Sequence, residues 1–113
     1  MDNIQATTAF AALSQQTRLE VFRLLIKAGN KGLLSGEMGD ILNVKQNTMS
    51  TNLNILLRAG LIRNVRQGRT VRYFADMTGI GALIDYLLKD CCGGAPEQCL
   101  PIIKSICQRE PAE

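Results

Sequence analysis

A chain of 113 residues has room for one domain around one core. With 46% hydrophobic residues, no Trp and 4% aromatics, that core is aliphatic. No apolar run approaches the ~18–20 residues of a membrane span, and the Met1–Gln5 start has neither the basic nor the apolar run of a secretory signal, so we expect a cytoplasmic protein with no membrane partner. The net charge of +3 is unevenly spread. From Ile41 to Ala75 there are six basic residues (Lys45, Arg58, Arg63, Arg66, Arg69 and Arg72) and no Asp or Glu, while the rest of the chain carries seven basic and ten acidic residues. One basic region on an otherwise acidic chain points to a polyanionic partner.

In chain order, Ala6 to Leu13 places Phe10 and Leu13 at helical spacing among alanines and reads as a first helix. Ser14 stands where it can cap a second, Gln15 to Ala28, whose Leu19, Phe22, Leu25 and Ile26 fall on one face. Gly29 suits the left-handed position that ends it. Ser35 offers another cap, ahead of a short helix from Gly36 to Leu42 with Met38, Ile41 and Leu42 turned inward. Asn43-Val44 breaks that helix. A longer one runs from Lys45 or Gln46 to Arg58, with Met49, Leu53, Leu56 and Leu57 as its apolar set. A short helix, a tight turn and a longer helix form a helix-turn-helix.

Leu61–Arg66 and Thr70–Ala75 are rich in β-branched or aromatic residues and flank Gln67-Gly68-Arg69, the pattern of a hairpin with an arginine at its tip. Asp76 or Thr78 caps a last long helix. Its Ile80, Leu83, Ile84, Leu87 and Leu88 follow i, i+3, i+4, i+7, i+8, and Asp90 ends it. Leu100-Pro101 opens a short final helix through Ile102, Ile103 and Ile106 to Cys107. The expected fold is mainly α with a small β-hairpin, a winged helix-turn-helix, in a single domain over residues 1–113.

The helix that begins at Lys45 has an outer side of Gln46, Asn47, Ser50, Thr51 and Asn54, with no acid and no long apolar residue. Gln and Asn pair bidentately with adenine edges, Ser and Thr bond several bases, and recognition helices read bases mainly with their first turns. Lys45, Gln46, Asn47, Ser50 and Thr51 are therefore the candidate contacts on this helix to double-stranded DNA. Arg66 and Arg69 at the hairpin tip are placed for phosphates or the minor groove.

At this point the chain resembles the ArsR/SmtB family of dimeric winged-helix repressors. The resemblance rests on LSQQTRLEVFRLL (Leu13 to Leu25), LNVKQNTMSTNLNILLRAGLI (Leu42 to Ile62) and VRQGRTVRYF (Val65 to Phe74). It implies a homodimer built from the first and last helices and bound to a palindromic operator. The stripe from Ile80 to Leu88 agrees, since a symmetric partner would cover it. Where many members have a His after the serine of the recognition helix, this chain has Thr51-Asn52.

All four cysteines lie near the end: Cys91, Cys92, Cys99 and Cys107. Members of the family sense metals, metalloids or redox state through sites on different helices. The absence of any His excludes the His/Asp zinc sites of the last helix. Leu33 to Met38 lacks the Cys-x-Cys that some arsenic- and cadmium-sensing members carry there. Thiolates suit soft ions, and As(III) and Sb(III) take three of them in a pyramid. Neighbouring cysteines on a regular helix point ~100° apart, so Cys91 and Cys92 converge only if the helix stops. Gly93-Gly94 permits a left-handed reversal that brings Cys99 back over them.

The string CCGGAPEQC resembles the C-terminal arsenic site of one branch of arsenical-responsive repressors. That resemblance implies a metalloid site of Cys91, Cys92 and Cys99 in a sensing extension over residues 91–113. Its effector would be As(III) or Sb(III), whose binding releases the operator and derepresses resistance genes. Cys107 reads as a small core residue. A redox switch, with a disulfide in place of the metalloid, is the alternative within the same fold. A structural zinc site fits poorly, because zinc favours C-x2–4-C pairs. An enzyme is not expected, since no His is present to activate a thiol and no phosphate-binding glycine loop appears.

Overall fold

A computed structural model describes residues 1–89, 91–94, 96–98 and 100–107, and among these all side chains except Cys91, Cys92, Pro96 and Cys107. Helix α1 spans Asn3–Leu13. It starts earlier than its apolar spacing suggests because Asp2 and Gln5 form a reciprocal cap. The Asp2 carboxylate accepts from the Gln5 N–H at 2.8 Å, and the Gln5 side chain accepts from the Asp2 N–H at 2.9 Å. Ser14 closes α1 rather than opening the next helix, its hydroxyl donating to the Ala11 carbonyl. The cap of α2 (Gln16–Ala28) is Gln15, whose side-chain oxygen accepts from the Arg18 N–H.

The inward face of α2 is Val21, Phe22 and Leu25, while Leu19 and Ile26 are exposed. The apolar positions expected from spacing alone were thus partly wrong. α2 packs under β3 as well as against helices α1, α3 and α4, and this rotates its buried face toward Val21. Helix α3 (Ser35–Leu42) starts at Ser35 itself, and the Glu37 carboxylate accepts from the Leu34 N–H at 2.8 Å. Met38 is buried, but Ile41 is 59% exposed, another departure from the expected face. Asn43 adopts a left-handed conformation (φ 56°), and α4 follows as Gln46–Arg58.

The hairpin is β2 (Ile62–Gln67) and β3 (Thr70–Ala75), in register from Ile62↔Ala75 to Gln67↔Thr70. It belongs to a larger sheet. A two-residue strand β1 (Leu33–Leu34) pairs antiparallel with β3, giving the order β1-β3-β2. The preceding Gly32 makes this possible. A Cβ there would stand 2.7 Å from the Phe74 ring.

Helix α5 (Met77–Leu88) is capped by the Asp76 carboxylate, which accepts from the Thr78 and Gly79 N–H groups. A 3-10 turn at Cys91–Gly94, a second at Pro96–Gln98 and helix α6 (Leu100–Cys107) follow. Asp90, expected to end α5, lies outside the described residues; the helix itself runs to Leu88.

The core is aliphatic, as composition required. Val21, Leu25, Met38, Met49, Leu53, Leu56 and Leu61 are nearly or fully inaccessible. Burying each such side chain is worth about 1.5–3 kcal/mol. The small alanines Ala6, Ala9 and Ala12 let α1 lie close against this core. Outside it, Ile4 and Phe10 on α1 and Ile84, Leu87 and Leu88 on α5 remain exposed. No helix is long and apolar enough to cross a membrane among the described residues.

Candidate nucleic-acid interface and the thiol segment

The turn between α3 and α4 sets the recognition helix. The Val44 N–H donates to the Gly39 carbonyl at 2.9 Å, and the Met49 N–H donates to the Lys45 carbonyl as the first bond of α4. Gly39 is buried, and a Cβ there would sit 2.9 Å from the Val44 carbonyl oxygen and collide with the Gln46 amide. The two helices therefore meet at a point where no side chain fits.

The outward face of α4 carries Lys45, Gln46, Asn47, Ser50, Thr51 and Asn54, all exposed. Some of these side chains are already engaged. The Ser35 hydroxyl donates to the Gln46 side-chain oxygen at 2.8 Å, and the Gln46 amide donates to the Ser35 carbonyl at 3.3 Å. Gln46 thus braces the start of α3 against the start of α4, and it reaches a base only by giving up these bonds. The Thr51 hydroxyl donates to the Asn47 carbonyl, and the Asn47 side-chain oxygen accepts from the Thr48 N–H.

The inward face holds Met49, Leu53 and Leu56, together with one residue the sequence reading passed over. Asn52 is only 6% exposed. Its side-chain oxygen accepts from an Arg18 Nη at 3.1 Å, and the Arg18 Nε donates to the Ala12 carbonyl at 2.7 Å. The signal was present, since positions 49, 52, 53 and 56 follow i, i+3, i+4, i+7. Reading only apolar residues into that stripe hid the polar member.

The sheet register sorts the arginines. Arg63 pairs with Phe74 and Val65 with Arg72, whereas Arg66 pairs with Val71 on the opposite side of the hairpin. Arg63 stacks over the Phe74 ring at 4.4 Å, a cation–π contact. Arg72 donates to the Gln67 side chain at 3.0 Å and to the Lys31 carbonyl at 3.1 Å. Val71 and Tyr73, on the Arg66 side, line a groove of about 380 Å³ together with Ser35, Glu37 and Ser50. The wing face toward the recognition helix therefore carries Arg66, with Arg69 in the exposed turn. Arg63 is stacked within the hairpin, and Arg72 ties the hairpin to the body through the Lys31 carbonyl. The acid-free window reads as one charge block in sequence, but in space it divides between arginines on the recognition-helix side or in the exposed turn and arginines engaged within the fold.

At the far end, Gly93 (φ 65°) and Gly94 (φ 87°) both adopt left-handed conformations directly after Cys91-Cys92. Cys99 and the side chains of Cys91, Cys92 and Cys107 lie outside the described residues. Among the described residues no three His, Cys, Asp or Glu side chains are grouped to hold a metal ion.

A helix-turn-helix with an exposed, acid-free recognition face and an arginine-bearing wing defines a winged helix-turn-helix DNA-binding module. A family profile described as a helix-turn-helix domain matches residues 13–65. The HTH-type transcriptional regulator YbzH of Bacillus subtilis is 36% identical over an alignment covering 69% of this chain and 90% of that protein. The transcriptional repressor SdpR of the same organism is 30% identical, over 70% of this chain and 84% of its own. Among solved structures, an ArsR-like transcriptional regulator from Rhodococcus sp. RHA1 superposes with a TM-score of 0.68 at 27% identity, covering 95% of this chain and 96% of that one. The chain belongs to the ArsR family of winged-helix transcriptional regulators. It is a regulator of transcription and not an enzyme.

Proposed function

We propose that the protein is a metalloid-responsive repressor. A homodimer binds palindromic operator DNA with one α4 per half-site. Binding of As(III) or Sb(III) to Cys91, Cys92 and Cys99 releases the DNA and derepresses the genes it controls. The observation that carries this reading is the pair of left-handed glycines placed between Cys92 and Cys99. A chain that reverses there can return a third thiol toward the first two, and three thiolates are the donor set these soft ions prefer.

The dimer part rests on Ile84, Leu87 and Leu88 of α5 and Ile4 and Phe10 of α1, apolar side chains that a symmetric copy would cover. A path from thiols to DNA follows from the same helix. α5 leads into the cysteine segment at one end, and at the other its Gly79 lies directly against Gly60, just past the end of α4. A metalloid that draws residues 91–99 together biases the position of α5, and the equilibrium shifts by the ligand's preference for one arrangement.

The test is an ultraviolet titration with arsenite, run beside fluorescence anisotropy on a labelled duplex selected by the protein from a random pool. The expected result is sulfur-to-arsenic absorption saturating at one equivalent per chain together with DNA release, both abolished by Cys99→Ser. If arsenite still releases DNA from the Cys91→Ser/Cys92→Ser/Cys99→Ser protein, the site is elsewhere. Release by peroxide with no response to arsenite would replace the metalloid by a disulfide switch.

A further inference from the structure

We propose that Arg18 is a positioning residue for DNA reading, acting through Asn52 to fix how the recognition helix is turned about its own axis. The inference rests on the DNA-binding role of α4 and not on the identity of the effector. Asn52 is the buried polar side chain among the described residues, and burying an amide without a partner is unfavourable. Its partner comes from 34 positions away in the chain.

Arg18 sits in the first turn of α2, with its own N–H held by the Gln15 side chain. Its guanidinium reaches back to the Ala12 carbonyl in the last turn of α1 and outward to Asn52 in the middle of α4. The Ala12 carbonyl is one of the acceptors that a helix C-terminus leaves unpaired, where a cation is favoured. A single planar fork, whose donors are fixed relative to one another, therefore joins three helices.

The Gln46–Ser35 bonds hold the first turn of α4, and along the rest of the helix, Asn52 apart, the contact with the core is apolar. Met49, Leu53 and Leu56 hold α4 through apolar burial, which is non-directional. A hydrogen bond constrains angle as well as distance. Asn52 lies two residues after Ser50, roughly 200° around the helix, so fixing Asn52 inward fixes Ser50 outward. The same tie places α4 relative to α1, whose exposed face belongs to the proposed dimer, and so bears on the separation of the two recognition helices.

The experiment uses the full chain and two duplexes: one selected by the wild-type protein from a random pool, and one unrelated sequence of equal length. The ratio of the two affinities is the readout, with thermal unfolding measured alongside. The decisive variant is the double replacement Arg18→Met/Asn52→Leu. It removes both partners of the Arg18–Asn52 bond together and fills the stripe with an apolar side chain, but it leaves the Ala12 carbonyl without its Arg18 donor, so it should fold with a lowered thermal midpoint. We expect its ratio to fall about tenfold or more, while affinity for the unrelated duplex and its salt dependence stay at the wild-type level.

Asn52→Asp keeps an acceptor for the guanidinium and should retain the wild-type ratio. Arg18→Lys keeps the charge but loses the fork and should lower it. A folded double variant with the wild-type ratio overturns the proposal. If the double variant does not fold, Arg18→Lys decides: an unchanged ratio overturns the proposal. A wild-type protein that selects no sequence removes the DNA reading itself, a failure separate from these.

Discussion

The crossing of α5 over the end of α4 gives a test whose sign is set by geometry. Gly79 lies in the first turn of α5, and a Cβ built on it would collide with the Gly60 carbonyl oxygen and stand 2.9 Å from the carbonyl carbon. Both are backbone atoms and cannot rotate away. Elsewhere in a helix, Gly→Ala gains about 0.5–1 kcal/mol through lower unfolded-chain entropy and better propensity. Here that gain meets an overpacking cost of typically 1–3 kcal/mol, occasionally more, because α5 or the α4–β2 turn must move. The net expectation for Gly79→Ala is a loss of about 1–2 kcal/mol.

Gly36, in α3, is the internal control. Its Cβ would meet nothing within 4 Å, so Gly36→Ala should gain the propensity term of about 0.5–1 kcal/mol. Thermal denaturation followed by circular dichroism, at one fixed protein concentration because a dimer's Tm depends on it, reads both. At roughly 4–8 °C per kcal/mol for a domain of about this size, Gly79→Ala should melt at least several degrees below wild type and Gly36→Ala a few degrees above. A Gly79→Ala protein as stable as wild type, with Gly36→Ala stabilised as expected, would refute the close approach of α5 to Gly60. The proposed route from thiols to recognition helix would fall with it.

The division of the wing arginines predicts that Arg66→Gln/Arg69→Gln lowers the slope of log affinity against log salt by about 1.8, the counterion release of two phosphate contacts. Arg63→Gln should leave that slope unchanged, because Arg63 is stacked on Phe74; equal effects of the two changes in salt-titrated anisotropy would reject the division. Leu87, 55% exposed on α5, should tolerate Asp within the monomer but not in a symmetric interface. Leu87→Asp is expected to sediment as a monomer with unchanged far-ultraviolet dichroism, and a dimer persisting at micromolar concentration would place the interface elsewhere.

The sequence alone determined what is encoded between near neighbours. The 3.6-residue periodicity of Met49, Leu53, Leu56 and Leu57 located the recognition helix; of the two starts expected, Lys45 or Gln46, the structure takes Gln46, and the end at Arg58 agrees. Gly68 between two β-branched runs located the hairpin, and the absence of acids from Ile41 to Ala75 located the basic region. Near neighbours also gave the left-handed Gly93-Gly94. Each of these follows from local sterics, capping or charge, and needs no knowledge of what lies across the core.

Only the tertiary structure decided the rest, because it depends on residues distant in sequence. Leu33–Leu34 is too short to announce a strand, and it becomes one only where Gly32 lets it meet Tyr73 and Arg72. Leu19 and Ile26 share the apolar character of Phe22 and Leu25, yet which of them is buried depends on the angle at which α2 meets β3 and the other helices. Six basic side chains looked equivalent along the chain, but strand alternation and the Phe74 ring separated Arg63 from Arg66. Asn52 read as an ordinary polar residue until the fold set the Arg18 guanidinium beside it. Local preference fixes which segments become helix or strand; the direction each side chain finally faces is settled when those segments meet.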